Sequence, residues 1–559
     1  MAITEGYDYP HSGNTSYVVQ YTRGLLGVNI KLDNLLTQIL CGTLGAACVV
    51  VLAARFGQMW NAYMRRITSA HASPRQQRYW ATAESALWAD IKKHLVYAPL
   101  GRKRHNREFK LSDAVNVGTL PSRLHTILLT SYILSQVAYI TILDYNVNER
   151  AALIAELRGR CGVLAVLNMI PLVILAGRNN PLIRILHISF DTYNLLHRWI
   201  GRIVILHSII HTLAWTTNAV TASGWSKTMN DLTSLPWLKY IMAFWITERS
   251  LRFLRLIYLN IAHRHGITRV MVEALPGEAS RVTFFLPRNT HIHPGSHVYA
   301  YLPRISLWMS HPFSVAWTEN GKYPRPLASS SSPSPQKLPS FQKHESDIDN
   351  ATNYSSKPTN VTLVMAARTG MTRKLYEKAL ASPDNTFFTT GFIEGPYRSY
   401  SSTFFGSYGT VVLFSGGAGI THHMMQVREL LERADAGTIA TRRIHLIWSV
   451  RTTEQLTWVS GFMDYILQLP KRREMLVTKL FISKPRSHKD IRSPSGTLLM
   501  FEGRCRPDVI IDEAMEKHVG ATAVSVCGPG AFADEVRAAV RKRVGSGPVI
   551  DFVEEAFTW

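Results

Sequence analysis

Thr410-Val-Val-Leu-Phe-Ser-Gly-Gly-Ala-Gly-Ile-Thr421 sets an apolar strand directly against a run of glycines, and His422–Arg433 after it reads as a helix. Glycine, without a Cβ, lets the backbone come close to a phosphate, and a helix N-terminus offers it unpaired N–H groups. Strand, Gly-rich turn, helix is the order that nucleotide binding requires. A further apolar strand at Ile444–Val450 makes the segment βαβ and predicts a parallel sheet. Arg451 stands just beyond it. A cation there suits the 2′-phosphate of NADPH, where an NAD site more often carries an acid; an ordinary surface arginine is the alternative. Downstream, the strand Ala523–Val526 runs into Cys527-Gly528-Pro529-Gly530, and the sequence closes on Glu554-Glu-Ala-Phe-Thr-Trp559. Gly-Pro-Gly suggests close approach of a cofactor, and no histidine pairs with Cys527 in sequence to activate its thiol. A terminal aromatic serves either core packing or cover for a flavin ring.

Working upstream, Val270–Ala274, Val282–Leu286 and Val298–Leu302 read as short strands between Pro/Gly turns. His293-Pro-Gly-Ser-His-Val-Tyr-Ala-Tyr-Leu-Pro303 leads to His311-Pro312-Phe313-Ser314, a tetrad that a simple strand-end turn explains equally well. Val364-Met-Ala-Ala-Arg-Thr-Gly-Met-Thr372 is an apolar strand entering a Gly/Thr loop before a helix at Arg373–Leu380. Its N-terminus suits a pyrophosphate, or is a plain capped connection. Arg325–Asn360 is Ser/Pro-rich and is expected to be a disordered insertion.

The first half is different in kind. Asn34–Ala54, Leu124–Leu143, Cys161–Gly177 and Ile203–Ser226 contain no Lys, Arg, Asp or Glu. As helices they measure about 25–36 Å, enough for a hydrocarbon core of about 30 Å. Four such runs in one half of a chain argue against buried helices of a soluble enzyme. Thr233–Thr247 is a shorter fifth candidate, interrupted by Lys239 and followed by Arg249, Arg252 and Arg255. The loop from Asn61 to Lys110 holds eleven Lys/Arg against three acids, so it is expected in the cytosol, with the N-terminus outside. No charged n-region with an apolar core precedes the first span, so no cleavable signal peptide is expected. Asn14-Thr15-Ser16 is a glycosylation sequon on the outer side.

Over 559 residues the net charge is +23, yet charged residues are only 18% and hydrophobic ones 46%. Those proportions exclude disorder, collagen-like chains and disulfide mini-scaffolds. Much of the positive charge lies in the cytosolic loop and beside spans, so it needs no nucleic-acid partner. Five cysteines form neither a CxxC pair nor an even framework, and imply no zinc site.

His197 and His211 lie fourteen residues apart on one apolar run with His207 between them. That spacing gives a rise of about 21 Å and puts both on one face within about 40°. Neutral imidazole is an axial ligand for haem iron, so the pair could serve one haem near each leaflet; polar bonding between helices is the alternative. Arg198 and Arg202 stand near His197 and could meet haem propionates.

In this order the motifs resemble the fungal ferric-chelate reductases, relatives of the NADPH oxidases, from about Gln38 to Trp559. The marks are His197/His211 with Trp199-Ile-Gly-Arg202, His311–Ser314, Gly416–Thr421, Cys527–Gly530 and the terminal Glu-Glu-Ala-Phe-Thr-Trp. The resemblance implies a helical transmembrane bundle followed by a ferredoxin-reductase-like module: an antiparallel β-barrel for FAD and an α/β parallel-sheet domain for NADPH. The corresponding divisions are an extracytoplasmic segment 1–33, a haem domain 34–258 of about five spans with the loop 61–110, an FAD domain 265–404 and an NADPH domain 405–559.

The family implies electron flow from NADPH to FAD, then through haem b to a ferric or cupric chelate outside the plasma membrane. On that likeness His311, Pro312, Phe313 and Ser314 would hold FAD, with Ser314 near the isoalloxazine, and Arg368, Gly370 and Thr372 would meet its pyrophosphate. Gly416, Gly417, Gly419 and Thr421 would cradle NADPH, with Arg451 on the 2′-phosphate. Cys527 and Gly528 would flank the nicotinamide and Phe557 would cover the flavin, which makes Ser314, Cys527 and Phe557 the implied catalytic set. His197 and His211 would be the metal ligands. Membrane lipid, and an iron permease/multicopper oxidase pathway, are the implied partners.

One departure stands out. The family has two further haem-ligating histidines on a later span, and between Thr212 and Ile241 this sequence has none. The second axial ligands are therefore not found; His125, His187, His263 and His265 do not match them. A skipped exon or a true deletion would produce this. A membrane-anchored NADPH/FAD diaphorase, a superoxide-producing NADPH oxidase and an inactive partner of an intact reductase are the alternatives.

Overall fold

The computed structural model describes residues 15–22, 24–105, 110–112, 115–116, 120–177, 181–186, 188, 190–233, 237–263, 265–307, 309–320, 359–397, 404–487, 491–545 and 547–555. The insertion expected at Arg325–Asn360 lies, but for its last two residues, outside this set, as do His187, Phe557 and Trp559. Two units divide the chain: residues 1–58 with 124–249, and residues 59–123 with 250–559.

The first unit is helical. Its main helices are α1 (Ile30–Ser69, whose last turns fall in the second unit), α2 (Arg123–Thr141), α3 (Arg150–Ala176), α4 (Phe190–Ser223), α5 (Trp225–Thr233) and the first part of α6 (Trp237–Asn260), with short helical turns at Thr15–Thr22 and Pro181–Leu186. Among the described residues, α1 to α4 are long and apolar enough to cross a membrane, and they hold all of the first charge-free run and all but the last one to three residues of the other three. Their outer faces are apolar: Val50 is 67% exposed and Ile205 61%. Such faces are stable in lipid and costly in water. α6 would be about 36 Å long. Every stretch of 18 residues within it carries at least four charges, however, so α6 is not among the four qualifying helices.

Inside the bundle, several polar side chains find partners in one another, as hydrocarbon demands. The fully buried Arg160 bonds Glu156 at 2.8 Å and lies 3.4 Å from Asp33. Asn168 donates to Gln136 at 2.7 Å and accepts from Tyr132 at 2.8 Å.

Among the described residues the second unit holds two larger antiparallel sheets, two short two-stranded antiparallel ones and one parallel sheet. Strands β1 (Arg269–Leu275), β2 (Ala279–Leu286), β3 (His297–Tyr301), β4 (Ser310–Ser314), β5 (Trp317–Asn320) and β6 (Thr359–Ala366) precede helix α7 (Met371–Leu380), then β7 (Thr386–Thr390) and β8 (Phe392–Tyr397). Their order is β7-β1-β2-β6-β5 in one sheet and β8-β3-β4 in the other. Alternate residues such as Val270, Val272, Val282, Phe284, Val298 and Ala300 fill the core, as the two-residue period of a strand predicts. Gly391 joins the sheets where a Cβ would lie 2.8 Å from Leu302 and 2.9 Å from the Tyr301 carbonyl oxygen.

The parallel sheet is built from β9 (Thr410–Gly416), α8 (Ile420–Asp435), β10 (Arg443–Val450), β11 (Leu476–Ile482), β12 (Leu498–Glu502), α9 (Pro507–Glu516), β13 (Thr522–Cys527), α10 (Gly530–Arg543) and β14 (Ile550–Glu555). The strand order is β12-β11-β10-β9-β13-β14. β9 is buried throughout: Val411 and Leu413 enter one core, Val412 and Phe414 the other. From β9 the chain winds outward to β12, then returns to place β13 on the other side of β9. That reversal creates a crevice at the carboxyl ends of β9 and β13, where open α/β sheets bind ligands.

Residues 59–123, from the last turns of α1 to the start of α2, belong to this second unit. Arg65 lies 3.7 Å over the Tyr408 ring and donates to Ser407 at 3.0 Å. Gln77 donates to the Ala440 carbonyl at 2.9 Å, and Arg442 donates back to the Ala70 carbonyl at 2.6 Å. Lys92 is buried against Glu84 and Asp551, the latter at 2.8 Å. Several of the loop's positive charges therefore have fixed structural partners besides their place in the positive-inside pattern.

Candidate functional site

The two predicted glycine turns meet at the β9/β13 crevice. A Cβ on Gly419 would fall 2.1 Å from the Cys527 carbonyl oxygen, and one on Gly416 2.6 Å from Pro529 Cδ. A Cβ on Gly528 would lie 2.9 Å from the Gly416 backbone. Residues far apart in sequence thus touch backbone to backbone, which only glycine allows. Gly417, at φ +53°, has open space around its Cβ direction, so that side of the turn is accessible to a ligand. Thr421 donates to the Ala418 carbonyl at 2.8 Å, and Trp448 donates to the Gly417 carbonyl at 2.9 Å, so the turn is braced from both sides. Arg451 follows β10, is exposed, and its backbone N–H donates to Gln455 at 2.8 Å.

Cys527 is buried, and burial pushes its thiol well above the usual range. It stays protonated and apolar, a wall of the crevice instead of a nucleophile. His423 is a residue that sequence reasoning missed. It lies in α8, fully buried, with Nδ1 2.7 Å from Ser415 Oγ and Nε2 3.1 Å from Ser525 Oγ. Burial holds it well below the ordinary histidine range, so it is neutral. Ser415 precedes Gly416 and Ser525 lies two residues before Cys527, so one imidazole ties together the two strands that carry the turns.

The tetrad His311–Ser314 occupies β4, paired with β3 so that Ser314 faces His297 and His311 faces Ala300. Ser314 is buried; His311, Pro312 and Phe313 are partly exposed. His297 packs its ring 5.5 Å from Tyr397, and Tyr397 meets Tyr299 edge-on at 5.7 Å. Beneath them Glu394 accepts from Arg252 at 2.7 and 2.9 Å and from Tyr301 at 2.7 Å, and also from Tyr397. Burial alone would raise the Glu394 carboxyl, but those bonds bring it below its usual range. Glu394 and Tyr397 were not singled out from sequence; an acid inside the apolar run Phe392-Ile-Glu-Gly-Pro-Tyr397 was the available signal.

Gly370, at φ +63° with open space beyond it, caps the N-terminus of α7. The Arg368 backbone N–H donates to Thr372 Oγ1 at 3.1 Å, closing the loop that exposes those helix N–H groups. That cradle fits a pyrophosphate.

In the bundle, His197 Nδ1 lies 3.0 Å from the Leu172 carbonyl oxygen and His211 Nδ1 2.8 Å from that of Arg158. A carbonyl only accepts, so Nδ1 carries the hydrogen in both rings. Each Nε2 is left with a lone pair, the tautomer that binds iron. Gly162 makes room: a Cβ there would lie 2.9 Å from His211 Nδ1. Either histidine could thus hold a haem iron through its free ring nitrogen, where the iron would carry single electrons. Among the described residues no group of three or more His, Cys, Asp or Glu that could hold a metal ion converges. His207 is also buried, with neither ring nitrogen hydrogen-bonded.

Apolar spanning helices, an antiparallel flavin-type domain and a parallel nucleotide-type domain together define a membrane flavoprotein oxidoreductase. Three family descriptions match in order: ferric reductase like transmembrane component over residues 161–261, FAD-binding domain over 264–325 and ferric reductase NAD binding domain over 408–541. The chain belongs to the ferric reductase family, oxidoreductases that use FAD and NAD(P)H. Ferric reductase transmembrane component 5 of Saccharomyces cerevisiae is 21% identical over 81% of this chain and 70% of its own. Ferric/cupric reductase transmembrane component 2 of the same yeast is 22% identical over 84% and 71%. A probable cell surface ferric reductase of Aspergillus oryzae is 25% identical over 54% and 44%. A solved ferredoxin NADP+ reductase from Neisseria gonorrhoeae covers 51% of this chain and 98% of its own at 11% identity and a TM-score of 0.32.

Proposed function

We propose that this chain moves electrons from cytosolic NADPH through FAD toward a ferric or cupric chelate outside the plasma membrane, supplying Fe(II) for uptake. The observation that carries the reading is the abutment of Gly416 and Gly419 on Cys527 and Gly528 at the sheet's switch point. In this reading 34–258 is the haem domain, 265–404 the FAD domain and 405–559 the NADPH domain. Gly416, Gly417, Gly419 and Thr421 receive the nucleotide phosphates and Arg451 the 2′-phosphate. Cys527 and Gly528 line the nicotinamide side, and Phe557 covers the flavin. His311–Ser314 run along the flavin, with Arg368, Gly370 and Thr372 at its pyrophosphate. His197 and His211 offer Nε2 to haem b.

FAD, when bound, takes the electron pair of a hydride and releases electrons singly, as haem iron requires. The chain's own residues supply placement: Gly419 lets the nucleotide turn reach Cys527, His423 holds the two strands, and the protonated Cys527 keeps the crevice apolar.

A second reading, an NADPH/FAD diaphorase without transfer across the membrane, is favoured by one feature. α5, the helix described between α4 and α6, has nine residues and is about 14 Å long, too short to cross. The full chain in sealed vesicles, given FAD, haem and NADPH on the domain side, separates these. Reduction of a ferric chelate trapped on the far side supports the first reading. Dye reduction on the near side alone supports the second. A chain that holds no FAD overturns both.

A further inference from the structure

We propose that Arg104 and His105, from the segment between the first two spanning helices, are positioning residues for hydride transfer. They fix the Cys527–Gly530 turn against the chain's last strand. The inference rests on the reading of that turn as the nicotinamide side of the site.

The geometry is specific. The backbone N–H groups of Arg104 and His105 both donate to Asp534 Oδ2, at 3.1 and 3.0 Å, while His105 Nδ1 lies 3.1 Å from Oδ1. Asp534 sits in the first turns of α10, the helix that Gly530 begins. A Cβ on Gly530 would land 2.3 Å from His105 Cβ, so the histidine rests on the turn itself. On its other side His105 Nε2 is 3.2 Å from Glu554 Oε1, and Arg104 Nη1 donates to Glu554 Oε2 at 3.0 Å. Arg537, from α10, also pairs with Glu554.

Glu554 belongs to β14, where it is the register partner of Val526, and Glu555 is the partner of Cys527. The two loop residues therefore hold both flanks of Cys527: the turn that follows it and the strand beside it. That strand continues into the segment carrying Phe557. The side chains of His105, Asp534, Arg537 and Glu554 are all 4–6% exposed. Desolvating this many charges is a costly way to gain stability alone. What the arrangement supplies is direction: paired N–H groups, an imidazole and a guanidinium set the carboxylates in one orientation. A misplacement of about 1 Å at a reacting pair lowers a rate by up to about a hundredfold.

The test is anaerobic stopped-flow reduction of flavin by NADPH in the full-length, FAD-loaded chain. His105→Ala is expected to lower the limiting rate about tenfold or more. The NADPH concentration for half-saturation should stay within about twofold, because the phosphate turn is untouched, and His105→Gln should recover part of the rate. An unchanged limiting rate, or a rise in half-saturation alone, overturns the proposal. If His105→Ala loses FAD, Arg104→Ala decides, since it keeps the backbone bonds to Asp534 and removes the guanidinium from Glu554 and from the Leu120 carbonyl: a slowed limiting rate supports the clamp, an unchanged one overturns it. A wild-type chain that holds FAD but is not reduced by NADPH overturns the underlying functional reading instead.

Discussion

Arg252 presents two parallel donors to Glu394, Nε to one carboxylate oxygen at 2.7 Å and Nη2 to the other at 2.9 Å. The arginine lies on the last turns of α6 and the glutamate on β8, both in the second unit, so the pair ties those turns to the antiparallel domain. Arg252→Met should cost about 3 kcal/mol, because it strands a buried carboxylate. Glu394→Gln should cost less, since one of Tyr301 and Tyr397 can still donate to its amide oxygen while the other accepts from its amide nitrogen. Thermal unfolding of the FAD-loaded chain checks this; equal loss in both variants would contradict the assignment of charge as the cause.

Gly162→Ala should dislodge His211. The new Cβ would meet Nδ1 at 2.9 Å, and the bond to the Arg158 carbonyl orients that ring. Haem bound per chain, measured by the pyridine haemochrome assay, should fall by about half if each histidine serves one haem. Gly201→Ala, whose Cβ would meet only Leu172 Cδ1 at 3.4 Å, should retain haem. A wild-type chain without haem would refute the ligand assignment.

Acid should weaken the parallel-sheet domain before it affects the carboxylates. Burial, with the charge of His297, lowers His422 to about 3; burial, with Lys479, lowers His445 to about 4. Unfolded histidine takes up its proton near 6.5, so below that pH the unfolded chain binds more protons than the folded one. Stability is therefore full above about pH 6.5 and declines as pH falls toward 4, by up to about 1.4 kcal/mol per unit per histidine. His445→Gln should flatten that slope in urea titrations run from pH 7 to 4.5. An unchanged slope would show that His445 is not held neutral.

Lys92→Met should destabilise the same domain by about 3–5 kcal/mol. Lys92 is 2% exposed and is the cation shared by Asp551 and Glu84. Asp551 also accepts from Tyr408 at 2.8 Å. Adding Asp551→Asn to Lys92→Met should recover part of the loss, because of the two carboxylates that shared the lysine only Glu84 then remains charged. A double variant no more stable than the single one would mean that packing, not charge, sets the cost.

Much of the architecture was legible from composition and period. Charge-free runs marked α1 to α4, because charge is expelled from hydrocarbon whatever the neighbours are. Thr410–Phe414, Ile444–Val450 and Ala523–Val526 marked strands of a sheet buried on both faces, where apolar residues run continuously. The expected helices His422–Arg433 and Arg373–Leu380 lie within α8 and α7, each of which starts two residues earlier, directly after its glycine turn.

Other features had no local signature. Lys92 and His105 look like any basic loop residues until the fold sets carboxylates more than 400 positions away beside them. His423 reads as a polar residue on an amphipathic helix until two strands bring Ser415 and Ser525 to its ring. Even His197 and His211, found by spacing, acquired a tautomer only from carbonyls on a different helix. Sequence by itself determined which segments are apolar, which are extended and where glycine must stand, because those depend on transfer energy and backbone sterics of neighbouring residues. Tertiary structure alone decided which charges are paired, which imidazoles are neutral and which turns meet, because hydrogen bonds and desolvation depend on groups brought within about 3 Å by chain folding.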